Sequence, residues 1–169
     1  MAETVYILLG SNMGDREKNL NNALAKLEVL EGLELLATSS VYISDAHDMP
    51  ENSTNFLNQV VKGDYKFTPR ELLNTLELIE KKLGRTGKGK KEPRTIDLDI
   101  LFFGDQVVVT DNLTIPHPEI LNRPFVMVPL LEIDPGIIHP VTKKPVAEFL
   151  NKKDLNKVIL YKDYVARNI

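Results

Sequence analysis

The run Pro93-Arg94-Thr95-Ile96-Asp97-Leu98-Asp99-Ile100-Leu101 constrains this chain more than any other segment. Its alternation predicts a strand, with Ile96, Leu98 and Ile100 on one face and Asp97 and Asp99 on the other. Two carboxylates on one face among aliphatics repel each other and lose hydration, so positive charge must sit against them. Arg94 can supply part of that charge. A bound divalent cation can supply more, because hard cations such as magnesium take carboxylate and phosphate oxygens. The same alternation also fits a solvated edge strand or a structural salt bridge, and the run by itself leaves these open.

With 169 residues, 43% hydrophobic and 27% charged, the chain can bury one sizeable core, and a single domain over residues 1–169 is expected. No apolar stretch approaches the roughly 18 residues that span a bilayer. Met1-Ala2-Glu3-Thr4 lacks the basic and apolar parts of a signal peptide. The absence of cysteine removes disulfides and thiolate chemistry and fits a reducing compartment, so a cytoplasmic location is expected; a monomer is expected as well. A net charge of −3 argues against a nucleic-acid binder. Charge is uneven, however: Lys81, Lys82, Arg85, Lys88, Lys90, Lys91 and Arg94 face only Glu92. A basic stretch that ends at paired aspartates points to one anionic ligand, although lysine-rich loops are commonly just solvated.

Val5 to Leu9 reads as a strand stopped by Gly10-Ser11-Asn12, and Asp15 opens a helix with Leu20, Ala23, Leu24, Leu27 and Leu30 inward. Leu33 to Ser44 reads as a second strand, His47 to Thr54 as a loop, and Phe56 to Val61 as a third strand. Thr68-Pro69-Arg70-Glu71 has the form of a capping box, and the helix it opens turns Leu72, Leu73, Leu76, Ile79 and Leu83 inward before Gly84. After the aspartate strand, Gly104-Asp105 leads into a hairpin at Val107 to Val109. A short helix is expected near Phe125 to Glu132, then a short helix and a strand-like Val158 to Tyr161. The order strand, helix, strand, strand, helix, strand predicts an α+β fold: a ferredoxin-like split βαβ, with helices packed on one antiparallel sheet and a proline-rich C-terminal extension.

Smaller signals are individually weak. Gly10-Ser11-Asn12-Met13-Gly14-Asp15 lacks the lysine and glycine spacing of a phosphate loop and reads better as a capping turn. His117, between Pro116 and Pro118, is expected to be extended and exposed; Arg123, six residues on, is what gives it functional company. His47 and His139 read as surface residues. Phe125 beside Arg123 can stack on a flat ring or simply pack in the core. Asn58, a polar residue in an apolar strand, must find partners, in a neighbouring loop or on a ligand edge.

Taken together, Gly10-Ser11-Asn12, Phe56-Leu57-Asn58, Gly84-Arg85, the Pro93 to Asp99 string, Pro116-His117, Asn122-Arg123 and Pro129-Leu130 resemble the 6-hydroxymethyl-7,8-dihydropterin pyrophosphokinase family, in order over Val5 to Pro135. The resemblance implies an ATP-dependent pyrophosphokinase of folate biosynthesis that moves pyrophosphate to a pterin hydroxymethyl group and releases AMP. It implies two magnesium ions on Asp97 and Asp99, catalytic roles for Arg85 and Arg94 beside them, and ATP contacts from Arg85, Lys88, Arg94, His117 and Arg123. Glu77, Glu80, Ile100 and Thr114 fall at nucleotide-contact positions. For the pterin it implies ring faces from Phe56 and Phe125, an edge contact from Asn58, and Ser44, Asp45 and Ala46 around the pocket. ATP and the pterin would be the partners, with no nucleic acid or membrane.

The chain departs from the family pattern in two places. The loop from Thr86 to Glu92 is about one residue short, with Lys91 near a position often held by tryptophan, and Ile43-Ser44-Asp45-Ala46 lacks the usual threonine-proline pair. Two other functions share parts of the pattern. Nucleotidyl transfer on a ferredoxin-like palm also uses paired aspartates, but does not account for the Pro-His and Asn-Arg elements. A ligand-binding regulatory domain would explain sheet and helices, but not carboxylates facing a run of cations.

Overall fold

The computed structural model describes residues 2–44, 55–84 and 95–167. Strand β1 (Glu3–Ser11) leads to helix α1 (Arg16–Glu28), β2 (Leu33–Thr38), β3 (Tyr42–Ser44) and β4 (Phe56–Tyr65). Helix α2 (Pro69–Lys82), β5 (Asp97–Phe103), β6 (Val108–Thr110) and β7 (Leu113–Ile115) follow, then α3 (Pro124–Ile133), β8 (Ile159–Leu160) and α4 (Tyr161–Arg167). The sheet order is β5-β1-β4-β3-β8, with β2 also on β4, and every pairing is antiparallel. Because β2 and β3 lie along the same partner and count as one strand, the elements from β1 to β5 form the expected split βαβ.

The second strand is broken rather than continuous. Thr38 pairs with Val61 and Tyr42 with Asn58, so four steps on one strand match three on the other, and one residue is extra. Ser39 replaces the lost ladder bonds: its N–H donates to the Val60 carbonyl (2.8 Å), and its hydroxyl accepts the Val60 N–H (2.9 Å). A side chain standing in for backbone is invisible to periodicity. The third strand in turn runs past Val61 to Tyr65.

Two apolar layers sandwich the sheet. Leu20, Ala23 and Leu27 of α1 and Leu72, Leu73, Leu76 and Ile79 of α2 pack on Ile7, Leu9, Leu57, Ile96, Leu98 and Ile100. Asp15 caps α1 by accepting the Lys18 N–H (3.1 Å), and Thr68 and Glu71 form the expected capping box on α2. On the opposite face, Val126, Met127 and Leu130 of α3 cover Tyr6, Leu8, Val60, Leu101 and Phe102. A register shift pairs Tyr6 with Phe102 and Ile7 with Ile100, leaving Leu101 over as a bulge. The bulge lets Leu101 and Phe102 both face α3, while Asp97 and Asp99 occupy that same face nearer the strand's start.

Two further expectations hold in more detail, and one is corrected. The predicted hairpin exists, but β6 pairs with β7 in a separate two-stranded sheet. The C-terminal segment adds β8 beside β3, tied further by the Tyr161 N–H to the Val41 carbonyl (2.9 Å). His139 is buried, not on the surface: its Nδ1 accepts the Val141 N–H (3.2 Å) and its ring stands edge-on to Phe102. Burial pushes its pKa below the ordinary histidine value. A base with a depressed folded pKa contributes stability that is complete above its unfolded pKa, about 6.5, and is lost as pH falls toward the folded value. The expected result is a melting temperature that drops between pH 7.5 and 5.5. His139→Asn keeps an acceptor for the turn without a titrating ring, so it should flatten that component of the drop.

Candidate functional site

Asn58 of β4, Gly10 of β1 and Asp97 of β5 lie in one cross-strand row on the α3 face. Two strand spacings separate the outer members, about 10 Å. Gly10 keeps the middle of this row low. A Cβ there would stand 3.3 Å from Asn58 Oδ1, tight enough to press on it, and in ordinary contact with Phe56 Cδ1 at 3.6 Å. Asp97 and Asp99 are half-buried. The side-chain donors they offer are oxygens only. Among the described residues no group of three or more histidines, cysteines or carboxylates closes a cage. Two carboxylates on one face are the hard oxygen donors that magnesium takes alongside phosphate and water.

On one side of the row, a cleft of about 310 Å³ runs along the free edge of β5. Leu73 of α2, Asp99 and Ile100 of β5, Asn112 and Thr114 of the hairpin, and His117 line it. Glu80 shapes this edge from beneath. It is buried, and its Oε2 accepts the Leu98 N–H (2.8 Å), a donor that an edge strand would otherwise leave without a ladder partner. Glu77 sits half-buried on α2, outside the lining of this cleft.

His117 is half-buried rather than exposed, because its backbone N–H docks on the Leu101 carbonyl of β5 (3.0 Å). Its Nδ1 accepts the Glu119 N–H (3.1 Å). Burial lowers its pKa, Asp99 pulls it partly back up, and Arg123 lowers it again. A neutral ring whose Nδ1 accepts carries its proton on Nε2, leaving one N–H donor for a ligand.

The other side of the row opens into a cleft of about 450 Å³ lined by Ser44, Asn122, Arg123, Phe125, Asp154 and Lys157. Arg123 and Phe125 enter from the start of α3, the guanidinium 5.8 Å from the ring centroid. Asn58 is buried and donates from Nδ2 to the Ser44 hydroxyl (2.8 Å). Phe56 pairs with Ser44 at the mouth of β3. Fold and cleft thus bring together Asp97, Asp99, Ile100, Thr114 and His117 on one side, and Ser44, Phe56, Asn58, Arg123 and Phe125 on the other. Arg85, Lys88, Arg94, Asp45 and Ala46 lie outside the described residues. The sequence reading missed Asn112, Asn122, Asp154 and Lys157. Asn122, adjacent to Arg123, carried a local signal, whereas Asp154 and Lys157 come from a segment with no pattern of its own.

A split-βαβ sheet with paired carboxylates on an edge strand, between two ligand-sized clefts, is an arrangement that phosphoryl-type transferases share with other ferredoxin-like domains. The sequence model of the 7,8-dihydro-6-hydroxymethylpterin-pyrophosphokinase (HPPK) family matches residues 6–135. The 2-amino-4-hydroxy-6-hydroxymethyldihydropteridine pyrophosphokinase of Aquifex aeolicus is 47% identical over 146 residues, 86% of this chain and 89% of that protein. The protein of the same name from Synechocystis is 40% identical over 89% of this chain and 76% of its own length. A wild-type Plasmodium falciparum HPPK-DHPS crystal structure shares the fold at TM-score 0.68 and 15% identity, over 99% of this chain but 42% of that one. The chain belongs to the 7,8-dihydro-6-hydroxymethylpterin-pyrophosphokinase family and is an ATP-dependent pyrophosphokinase of folate biosynthesis.

Proposed function

We propose that the cleft along β5 takes ATP, that the cleft under Arg123 and Phe125 takes 6-hydroxymethyl-7,8-dihydropterin, and that Asp97 and Asp99 hold two magnesium ions between them. The observation that carries this reading is the row Asn58–Gly10–Asp97, which sets a hydrogen-bonding side chain for a ring edge about two strands from a carboxylate. When bound, the ions would neutralise the phosphate charge that grows as the bridging bond breaks.

The chain's own groups do the rest. Phe56 and Phe125 hold the ring faces, while Asn58, held by Ser44, reads its edge. These contacts aim the hydroxymethyl oxygen at the β-phosphorus. That oxygen forms the new P–O bond and loses its proton, the α–β bridging P–O bond breaks, and AMP leaves with the bridging oxygen. His117 donates from Nε2 to a phosphate oxygen, and Arg123 supplies charge from the α3 side. Arg85, Lys88 and Arg94 complete the phosphate contacts in this reading. Glu80 serves the nucleotide by fixing the Leu98 amide and hence the β5 edge. Function in a reducing cytoplasm fits the absence of cysteine, and the proposed active unit is the monomer.

The test is a product analysis with labelled ATP, magnesium and the hydroxymethyl pterin. AMP together with a pterin diphosphate is expected; ADP, or AMP joined to the acceptor with free pyrophosphate, would overturn the reading. A finer result concerns the hairpin. Arg70 of α2 donates to Asn112 Oδ1 (2.7 Å) and to the Thr110 hydroxyl (3.2 Å), buttressing one wall of the ATP cleft from outside. Arg70→Ala is expected to raise the KM for ATP by about two- to fivefold, the scale of one or two solvent-exposed hydrogen bonds, with the pterin KM unchanged.

A further inference from the structure

The break in the second strand has a partner across the sheet. Glu132, near the end of α3, directs its carboxylate at the residues just after the break. The Ser40 N–H donates to Oε1 (3.1 Å) and Oε2 (3.0 Å), the Ser40 hydroxyl to Oε2 (3.0 Å), and the Tyr42 hydroxyl to Oε1 (2.5 Å). Ser40 leads into β3, and Tyr42 is its first residue. We propose that Glu132 is a positioning residue for the pterin cleft, setting the distance between the two walls that α3 and β3 contribute.

The geometry supports a positional role for three reasons. First, α3 carries Arg123 and Phe125 at its start and Glu132 at its end, seven residues beyond Phe125 and about 10 Å along a helix. An anchor at Glu132 therefore sets where the ring-bearing end lies over the sheet. Second, Tyr42 and Ser44 share a face of β3, and Ser44 is the group that holds Asn58. The residue bolted by Glu132 is thus two positions from the wall of the cleft. Third, α3 has a separate attachment to the middle of the sheet, where the Tyr6 hydroxyl donates to Asp134 and Lys62 lies 4.0 Å from the same carboxylate. Losing Glu132 therefore leaves the helix docked, and what it frees is β3 relative to α3. Tyr42 is 9% exposed, so its hydroxyl has little access to water as a substitute acceptor.

This inference rests on the assignment of the pterin to that cleft, and the experiment separates the two. KM for each substrate is measured with the other saturating, together with kcat and melting temperature, in Glu132→Ala, Glu132→Gln and Tyr42→Phe. Glu132→Ala is expected to raise the pterin KM about five- to tenfold, in line with a lost charged hydrogen-bond cluster, with ATP KM within about twofold of wild type. Glu132→Gln keeps one acceptor oxygen and should recover part of the loss, and Tyr42→Phe should show a smaller rise in the same parameter. A fall in melting temperature with both KM values unchanged would overturn the proposal, as would an equal rise in both. If Glu132→Ala fails to fold, Tyr42→Phe carries the same decision by the same readout. Phe125→Ala serves as the reference: if it leaves the pterin KM unchanged, the cleft assignment itself has failed. If Phe125→Ala raises that KM and neither Glu132 nor Tyr42 variants do, only the positioning role has failed.

Discussion

Asp97→Ala is expected to lower kcat by about a thousandfold or more, the scale of removing a group that organises charge in a phosphoryl-type transition state. The fold should survive. Asp97 is half-buried at the start of an edge strand, and its neutralisation relieves repulsion with Asp99 on the same face. Packing of β5 rests instead on Leu98, Ile100 and Phe103 on the opposite face, and on Leu101 and Phe102 under α3. Circular dichroism and a thermal melt should therefore match wild type within a few degrees. Magnesium dependence supplies the sharper readout. The variant should need a higher magnesium concentration for whatever turnover remains, because one of two carboxylate ligands is gone. Asp97→Asn separates charge from shape, since it keeps an oxygen in place without the negative charge. It should lie close to alanine if charge dominates. Near-normal kcat in either variant would remove the metal role from Asp97.

The aspartates were legible because a strand's period of two is written directly into Ile96 to Ile100. The helix faces were legible for the same reason at period 3.6: Leu20, Ala23 and Leu27, and Leu72, Leu76 and Ile79, are buried as the spacing requires. What failed to show were features created by pairing. The extra residue Leu101 changes which side chains face α3, yet no local pattern distinguishes it from Ile100 or Phe102. The break at Ser39 depends on a hydroxyl answering the Val60 N–H, a partner 21 residues away. His139 looked like a surface histidine because its burial comes from Phe102 and from its own turn, not from an apolar neighbourhood in sequence. His117 was expected to be exposed because two prolines flank it, but the Leu101 carbonyl draws it onto β5. The polar residues of the site were readable mainly through family resemblance. Asn58 alone gave a physical hint, an amide in an otherwise apolar strand.

That hint leads to the second large effect. Asn58→Leu is expected to reduce kcat/KM for the pterin by about a hundredfold or more, because a site built to hydrogen-bond a ring edge loses most when that bond cannot form. Leucine keeps the branched shape and heavy-atom count of asparagine, although its methyl groups are bulkier, and Gly10 across the strand offers no Cβ to collide with it. Removing one partner of a buried hydrogen bond costs little stability only when the other can turn elsewhere. The partner is the Ser44 hydroxyl, at the end of β3. Asn58 has two possible functions, as a tie between β4 and β3 or as a reader of the ligand, and they predict different outcomes. A tie alone makes Ser44→Ala as damaging as Asn58→Leu, with both acting through melting temperature. A reader makes Ser44→Ala mild, since the amide stays and loses only one of its restraints, while Asn58→Leu removes pterin recognition at nearly unchanged stability. KM for ATP should remain within about twofold of wild type in both variants, because Asn58 stands two strands from the β5 edge where the nucleotide cleft begins. Equal losses for both substrates would mean that Asn58 supports the sheet and not the ring.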